Sequence, residues 1–211
     1  MISLITTIIF DIGSVLVSWH YKAFLRRLFE DEKTCKVVAK CIFENPNYIE
    51  FDKGMVTKEQ FLDNCISHCP YYSKEITYAF SRIGECVKQY SFAHSWIEEY
   101  KKRGYRVLFL SNYSDYVRGA NLKALDFVRK FDGGLFSCDI KMVKPYAPIY
   151  YKMIEDFNLI PEECIFIDDK RSNLRVAEEL GIKCVWYQNY KDAKMEVEKI
   201  LSGNYRYGNF M

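Results

Sequence analysis

Five short apolar runs constrain this chain more than anything else in it. They are residues 7–11 (TIIFD), 106–111 (RVLFLS), 135–140 (LFSCDI), 164–168 (CIFID) and 183–186 (KCVW). None alternates apolar with polar residues, so each suits a strand buried on both faces, as in the centre of a parallel sheet. Helical patterns separate the later runs. Residues 92–103 place Trp96, Ile97 and Tyr100 on one stripe and stop at Gly104, a residue that readily ends a helix. Residues 147–157, 173–180 (closed by Gly181) and 192–201 read the same way. Strand and helix in alternation predict right-handed βαβ units, hence an α/β fold.

One interval breaks the rhythm. Residues 18–90 show no buried strand pattern and read as helices over 21–29, 34–43, 57–67 and 73–87, with Thr57 and Gln60 spaced as a capping box. The expected organisation is a sheet-bearing core of residues 1–17 and 91–211, with a small all-helical unit, 18–90, inserted after the first strand. Such an insertion lies over the carboxyl edge of the sheet, where open α/β sheets bind ligands.

Composition narrows the function classes. The net charge is +2 and no basic stripe stands out, so no nucleic-acid partner is expected. Lys101-Lys102-Arg103 reads as a solvated helix end. The apolar stretch Met1 to Phe10 stops at Asp11, too short to span a bilayer and without a basic leader. A cytoplasmic protein without membrane association is expected. The eight cysteines form no CxxC pair and read as buried free thiols. Cys65, His68 and Cys69 could share a helix face, but no further ligand for zinc is in sight. The tail, 202–211, is expected to be mobile.

Polar residues cluster where the strands end. Asp11 closes the first run and Gly13 opens the turn after it. Ser111 and Asn112 end the second, Lys144-Pro145 follows the third, and Asp168-Asp169 end the fourth with Asn173 close behind. Each alone is weak, but parallel strands bring their carboxyl ends to one rim. Two adjacent acids favour a cation or a proton, and Mg²⁺ is commonly held by one or two carboxylates with a phosphate oxygen. A carboxylate can attack phosphorus and form an acyl phosphate, while a lysine and a hydroxyl neutralise the transferring phosphoryl group.

The segments FDIGSVLV, LSNYS, VKPYAPIY and IFIDDKRSN, in this order and with a helical insertion after the first, resemble the haloacid dehalogenase (HAD) superfamily over nearly the whole chain. The resemblance implies a Rossmann-like core with a helical cap. It implies that Asp11 is the nucleophile and, with the Gly13 carbonyl and Asp169, a ligand to Mg²⁺. Ser111 and the Asn112 backbone would bind phosphate, and Lys144 would pair with both phosphate and nucleophile. Asp168 and Asn173 would support this shell. The segment FDKGMVT, residues 51–57, resembles a cap stretch that lies near the substrate.

One position departs from the family pattern. Phosphatases of this kind usually carry a second Asp two residues after the nucleophile, where this chain has Gly13. General acid catalysis contributes about 10²–10⁴-fold, so leaving groups that depart unprotonated should be favoured. His20 could stand in for the missing acid. Trp19, His20 and Tyr48 are candidates to face the cleft. Three readings follow. The first is a Mg²⁺-dependent phosphatase acting on a small phosphate ester, such as a sugar phosphate. The second is a metal-independent dehalogenase, for which Arg26 and Arg27 are the available arginines. The third is a domain that binds a phosphorylated ligand or a partner without turnover. Oligomeric state is left open by the sequence.

Overall fold

The computed structural model describes residues 4–203. In chain order its strands are β1 (Thr7–Phe10), β2 (Val17–Trp19), β3 (Val87–Gln89), β4 (Arg106–Ser111), β5 (Gly133–Phe136), β6 (Cys164–Asp168) and β7 (Lys183–Trp186). Five form one sheet of order β5-β4-β1-β6-β7, every pair parallel. The central strand, β1, is therefore flanked by β4 and β6, which brings Asp11, Ser111 and Asp168 to one edge.

The helices before β3 are α1 (Tyr21–Leu28), α2 (Glu32–Ile42), α3 (Tyr48–Asp52), α4 (Lys58–His68) and α5 (Ser73–Ser81). After it come α6 (Ala93–Lys102), α7 (Asp115–Gly119), α8 (Ser137–Ile140), α9 (Ala147–Asp156), α10 (Arg171–Glu179) and α11 (Tyr190–Leu201). The capping box at Thr57 forms, with both reciprocal hydrogen bonds present. None of the described helices is long and apolar enough to cross a membrane.

Successive strand residues face opposite ways, and the sheet is packed on both sides accordingly. Ile8, Phe10, Val107, Ile165 and Ile167 join the core of Trp96 and Tyr100, which continues into the helices of the insertion. Ile9, Leu108, Leu110 and Phe166 face Tyr150, Met153 and Leu174. Phe10 meets Trp96 edge-on at 4.9 Å between ring centroids. All eight cysteines are free thiols, seven of them buried.

Gly134 shows how tightly one edge is filled. A Cβ at this position would sit 2.2 Å from the Phe109 ring. Overpacking of this kind costs about 1–3 kcal/mol, so Gly134→Ala is expected to lower the unfolding free energy by that much, read as a lower urea midpoint with an unchanged m-value. An unshifted midpoint would contradict the packing described.

Three local expectations are corrected. The run 135–140 is not one strand: β5 ends at Phe136 and Ser137–Ile140 turn into α8, closed by Lys141 at φ 57°. A short apolar run cannot separate strand from helix by periodicity. The helix expected over 73–87 stops at Ser81, and a 3₁₀ turn, Ile83–Cys86, leads into β3. The interval 18–90 is thus not strand-free. β2 and β3 pair antiparallel, Val17 with Gln89 and Trp19 with Val87, exactly where the chain enters and leaves the helical segment. Three-residue strands are too short to leave a pattern. The tail beyond Gly203 lies outside the described residues.

Candidate active site

Asp11 stands one residue past β1, and its N–H still donates to the Ile167 carbonyl at 2.8 Å. The ladder therefore fixes the Asp11 backbone. The chain then turns sharply, with the N–H groups of Val15, Leu16 and Val17 all directed at the Ile12 carbonyl. Ser14 adopts φ 61° in this turn, a conformation that costs a non-glycine residue energy and clusters at functional sites.

Lys144 is the hub. It lies between α8 and α9 with its side chain 1% exposed. Its Nζ donates to the Leu110 carbonyl at 2.7 Å and to Asp168 Oδ2 at 2.7 Å, and it is 2.9 Å from Asp11 Oδ1. Burial alone would lower the pKa of this ammonium, but the two carboxylates more than offset it and hold it above the ordinary lysine value. The Asn112 side chain is occupied in fixing this loop. It accepts from the Lys144 N–H at 2.8 Å and donates to the Lys144 carbonyl at 2.9 Å.

The two acids ending β6 differ. Asp168 is fully buried and receives Lys144, both contacts of the Asn173 amide at 3.0 Å, and the Lys170 N–H at 2.8 Å. Its hydrogen-bonding capacity goes to holding the lysine. Asp169 is half-buried and, among the described residues, has no ion pair. Burial and the neighbouring Asp11 and Asp168 charges push its carboxyl up to about 6. Asp11, Asp168 and Asp169 each offer an oxygen within 4.8 Å of the others, the one such acidic, thiol or imidazole group among the described residues. Cys65, His68 and Cys69 form no comparable cluster.

Ser111 ends β4 with its hydroxyl completely buried and without a hydrogen-bond partner. A buried unsatisfied hydroxyl calls for an explanation, and Ser111 itself is not among the residues lining the cavity beside Asp11 and Lys144. The Tyr113 hydroxyl is likewise buried without a partner. Tyr113 does line that cavity, which has a volume of about 200 Å³. Gly13, Asn112, Asp169 and Asn173 line it from the sheet side, and Trp19, Phe43, Tyr48 and Asp52 from the helical insertion.

Three candidates from the sequence lie elsewhere. His20 is exposed and does not line this cavity. Arg26 and Arg27 pair with Glu32 and Glu85, away from the cavity. Conversely, sequence reasoning passed over Tyr113, Lys170 and Ser137. Ser137 binds the Tyr113 N–H at 2.8 Å and donates to the Asp52 carbonyl, which ties the insertion to the rim. Nothing in its sequence context signals this, since the contact joins residues 85 positions apart.

Asp169 gives a testable pH effect. A carboxyl raised in the folded state contributes stability that is fullest at acid pH and falls as pH rises from 3.8 to about 6. A divalent cation that accepts the ionised form should reverse this. Mg²⁺ is expected to raise the thermal midpoint more at pH 7.5 than at pH 5, and Asp169→Asn to abolish the difference. An equal rise at both pH values would count against Asp169 as a ligand.

Comparison with known proteins fits this geometry. A family description, haloacid dehalogenase-like hydrolase, matches residues 5–181. The mouse protein acyl-CoA dehydrogenase family member 10 is 27% identical over 202 residues, covering 92% of this chain and 19% of that protein. The chain thus spans about a fifth of that relative's length. Sesquiterpene phosphatase astK of Aspergillus oryzae is 23% identical over 177 residues, 82% of this chain and 85% of its own. A HAD family enzyme of Bacteroides thetaiotaomicron, solved with magnesium and inorganic phosphate, superposes with a TM-score of 0.67 at 22% identity, covering 87% of this chain and 94% of that one. L-2-haloacid dehalogenase of Xanthobacter autotrophicus superposes with a TM-score of 0.65 at 14% identity, covering 95% and 84%. At these identities the solved structures establish a shared fold.

Proposed function

The chain belongs to the haloacid dehalogenase-like hydrolases, and on that premise we propose that it is a Mg²⁺-dependent phosphatase hydrolysing a small phosphate ester through an aspartyl phosphate. The observation that carries this reading is the meeting of Asp11, Lys144 and Asp169 beside one cavity. The donor set is all oxygen and anionic, which suits a hard divalent cation, and the Asp169 carboxyl is raised by burial and by the Asp11 and Asp168 charges, which such an ion would offset. Asp11, Asp169 and the Gly13 carbonyl would hold the ion. When bound, Mg²⁺ supplies positive charge to the transferring phosphoryl oxygens.

The protein's own groups do the rest. Lys144 fixes one Asp11 oxygen and leaves the other for attack on phosphorus. The Ser111 hydroxyl and the Asn112 main chain receive phosphate oxygens, and the buried ammonium of Lys144 offsets their charge. Asp168 and Asn173 keep Lys144 aimed. Water hydrolyses the acyl phosphate and regenerates Asp11. A cavity of about 200 Å³ is small beside ordinary ligand sites of roughly 300–1,000 Å³, so the leaving group is a small metabolite. The aromatic faces of Trp19 and Tyr48 with the Tyr113 hydroxyl suit a polyol or sugar.

Two features weigh against halide release as the main activity. No arginine lines the cavity, and its charged lining (Asp11, Asp52, Lys144, Asp169 and Lys170) holds three acids. The deciding assay runs sugar and polyol phosphates with Mg²⁺ or EDTA, beside 2-haloacids. Phosphate release that EDTA abolishes is expected. Metal-independent halide release would replace this reading with the dehalogenase. Ligand-induced thermal stabilisation without any product would replace it with a binding domain.

A further inference from the structure

We propose that Asp52, from the helical insertion, is the proton donor to the leaving group and takes the place of the side chain missing at Gly13. This rests on the phosphate-ester reading above and deepens it. Gly13 and Asp52 line the same cavity from opposite sides, sheet and insertion. A Cβ built on Gly13 meets nothing within 4 Å, so the space where a second acid would stand is open. An acid reaching the leaving oxygen must then come from elsewhere in the lining. Asp11 and Asp169 lie within the carboxylate cluster, and Asp52 is the remaining acid.

Asp52 is held where a proton donor must be held. It closes α3, whose Phe51 is buried and stacks on Phe61 at 4.5 Å with the rings 4° apart. Its carbonyl accepts from Ser137 Oγ, and the Gly54 carbonyl accepts from Lys141 Nζ at 2.7 Å. These bonds fasten the end of α3 to α8, and Ser137 in turn holds the Tyr113 N–H of the loop after β4. Among the described residues the Asp52 carboxylate makes no ion pair. The groups that act on it are Lys170, the Ser114 N–H and Asp11. Tyr48 on its own helix and Tyr113 on the rim are close enough to feel its charge, and Ser137 of α8 holds its carbonyl. Burial pushes its carboxyl up to about 7 against the pull of Lys170, near the value that serves a general acid at neutral pH.

The step balances. An Asp11 oxygen bonds to phosphorus as the bond from phosphorus to the ester oxygen breaks, and the Asp52 proton passes to that oxygen. The alcohol leaves and Asp52 is ionised. Asp52 then takes a proton from water as the water oxygen attacks the aspartyl phosphate. Phosphate departs, Asp11 is free, and Asp52 is again protonated.

The test measures Asp52→Asn, Gly13→Asp and the double variant against alkyl phosphates and nitrophenyl phosphate, with Mg²⁺. Asp52→Asn should lower kcat/KM, which reports the steps up to departure of the alcohol and not the later hydrolysis of the aspartyl phosphate, by about 10²–10³-fold on alkyl phosphates. On nitrophenyl phosphate, whose leaving group needs no proton, the loss should be under about tenfold, which also reports an intact fold. Gly13→Asp in the Asp52→Asn background should restore much of the alkyl activity, which a merely structural role for Asp52 would not allow. Equal losses on both substrate classes, or undiminished alkyl turnover in Asp52→Asn, overturns the assignment while leaving the phosphatase reading standing. A wild-type protein that releases no phosphate from either class overturns both.

Discussion

Asp11→Asn should keep its fold and lose phosphate release by about 10⁴-fold or more, the scale seen when a nucleophile is removed. The amide is close in shape to the carboxylate, but it is a poor nucleophile. The fold survives because Lys144 keeps Asp168 and the Leu110 carbonyl as partners at 2.7 Å each. Acid quenching of the wild type during turnover should trap phosphate on the chain, and the variant should trap none. A variant retaining a hundredth of the rate would remove Asp11 from the nucleophile's role.

Lys144→Met should be the most destabilising single change at this site. Lys144 and Asp168 are 1% and 0% exposed, so solvent cannot replace the lost ammonium. Breaking a buried pair by removing one partner costs about 3–5 kcal/mol. For a chain of this size each kcal/mol lowers the midpoint by about 2–4 °C, so the thermal midpoint should fall by roughly 6–20 °C. Activity is lost as well. Adding Asp168→Asn should recover part of the stability and none of the activity, which separates the two roles of the lysine. A fall of under about 1 kcal/mol would mean the pair is not buried as described.

The sheet was legible because burial on both faces writes itself into a strand as an unbroken apolar run. TIIF, RVLFLS and CIFID each became a strand, and the polar residue that ends each run now stands at the shared edge. LFSCDI misled because its last four residues bury Ser137 and Cys138 on a single helical turn, and six residues carry too little pattern to separate the two. The two strands of the ribbon left no trace, since three residues show no alternation. Around the site, side chains adjacent to strand ends could be read as a group. Ser137, Tyr113 and Lys170 could not, because their importance lies in contacts across the fold. His20, expected to face the cleft, instead stands exposed at the N-cap of α1, a placement its neighbours in sequence do not signal.

The ribbon of Val17–Trp19 with Val87–Gln89 has a topological consequence. Residues directly opposite in an antiparallel pair lie about 5 Å apart, so some seventy residues begin and end at nearly the same point in space. Whatever is threaded between those two doorposts need not alter the distance the main chain has to cover. A foreign helical bundle, or a shorter loop carrying its own apolar face, could be spliced there with the five-stranded scaffold untouched. The walls that Trp19, Phe43, Tyr48 and Asp52 give the cavity can therefore be exchanged as a module, while Asp11, Lys144 and Asp169 stay where the sheet holds them.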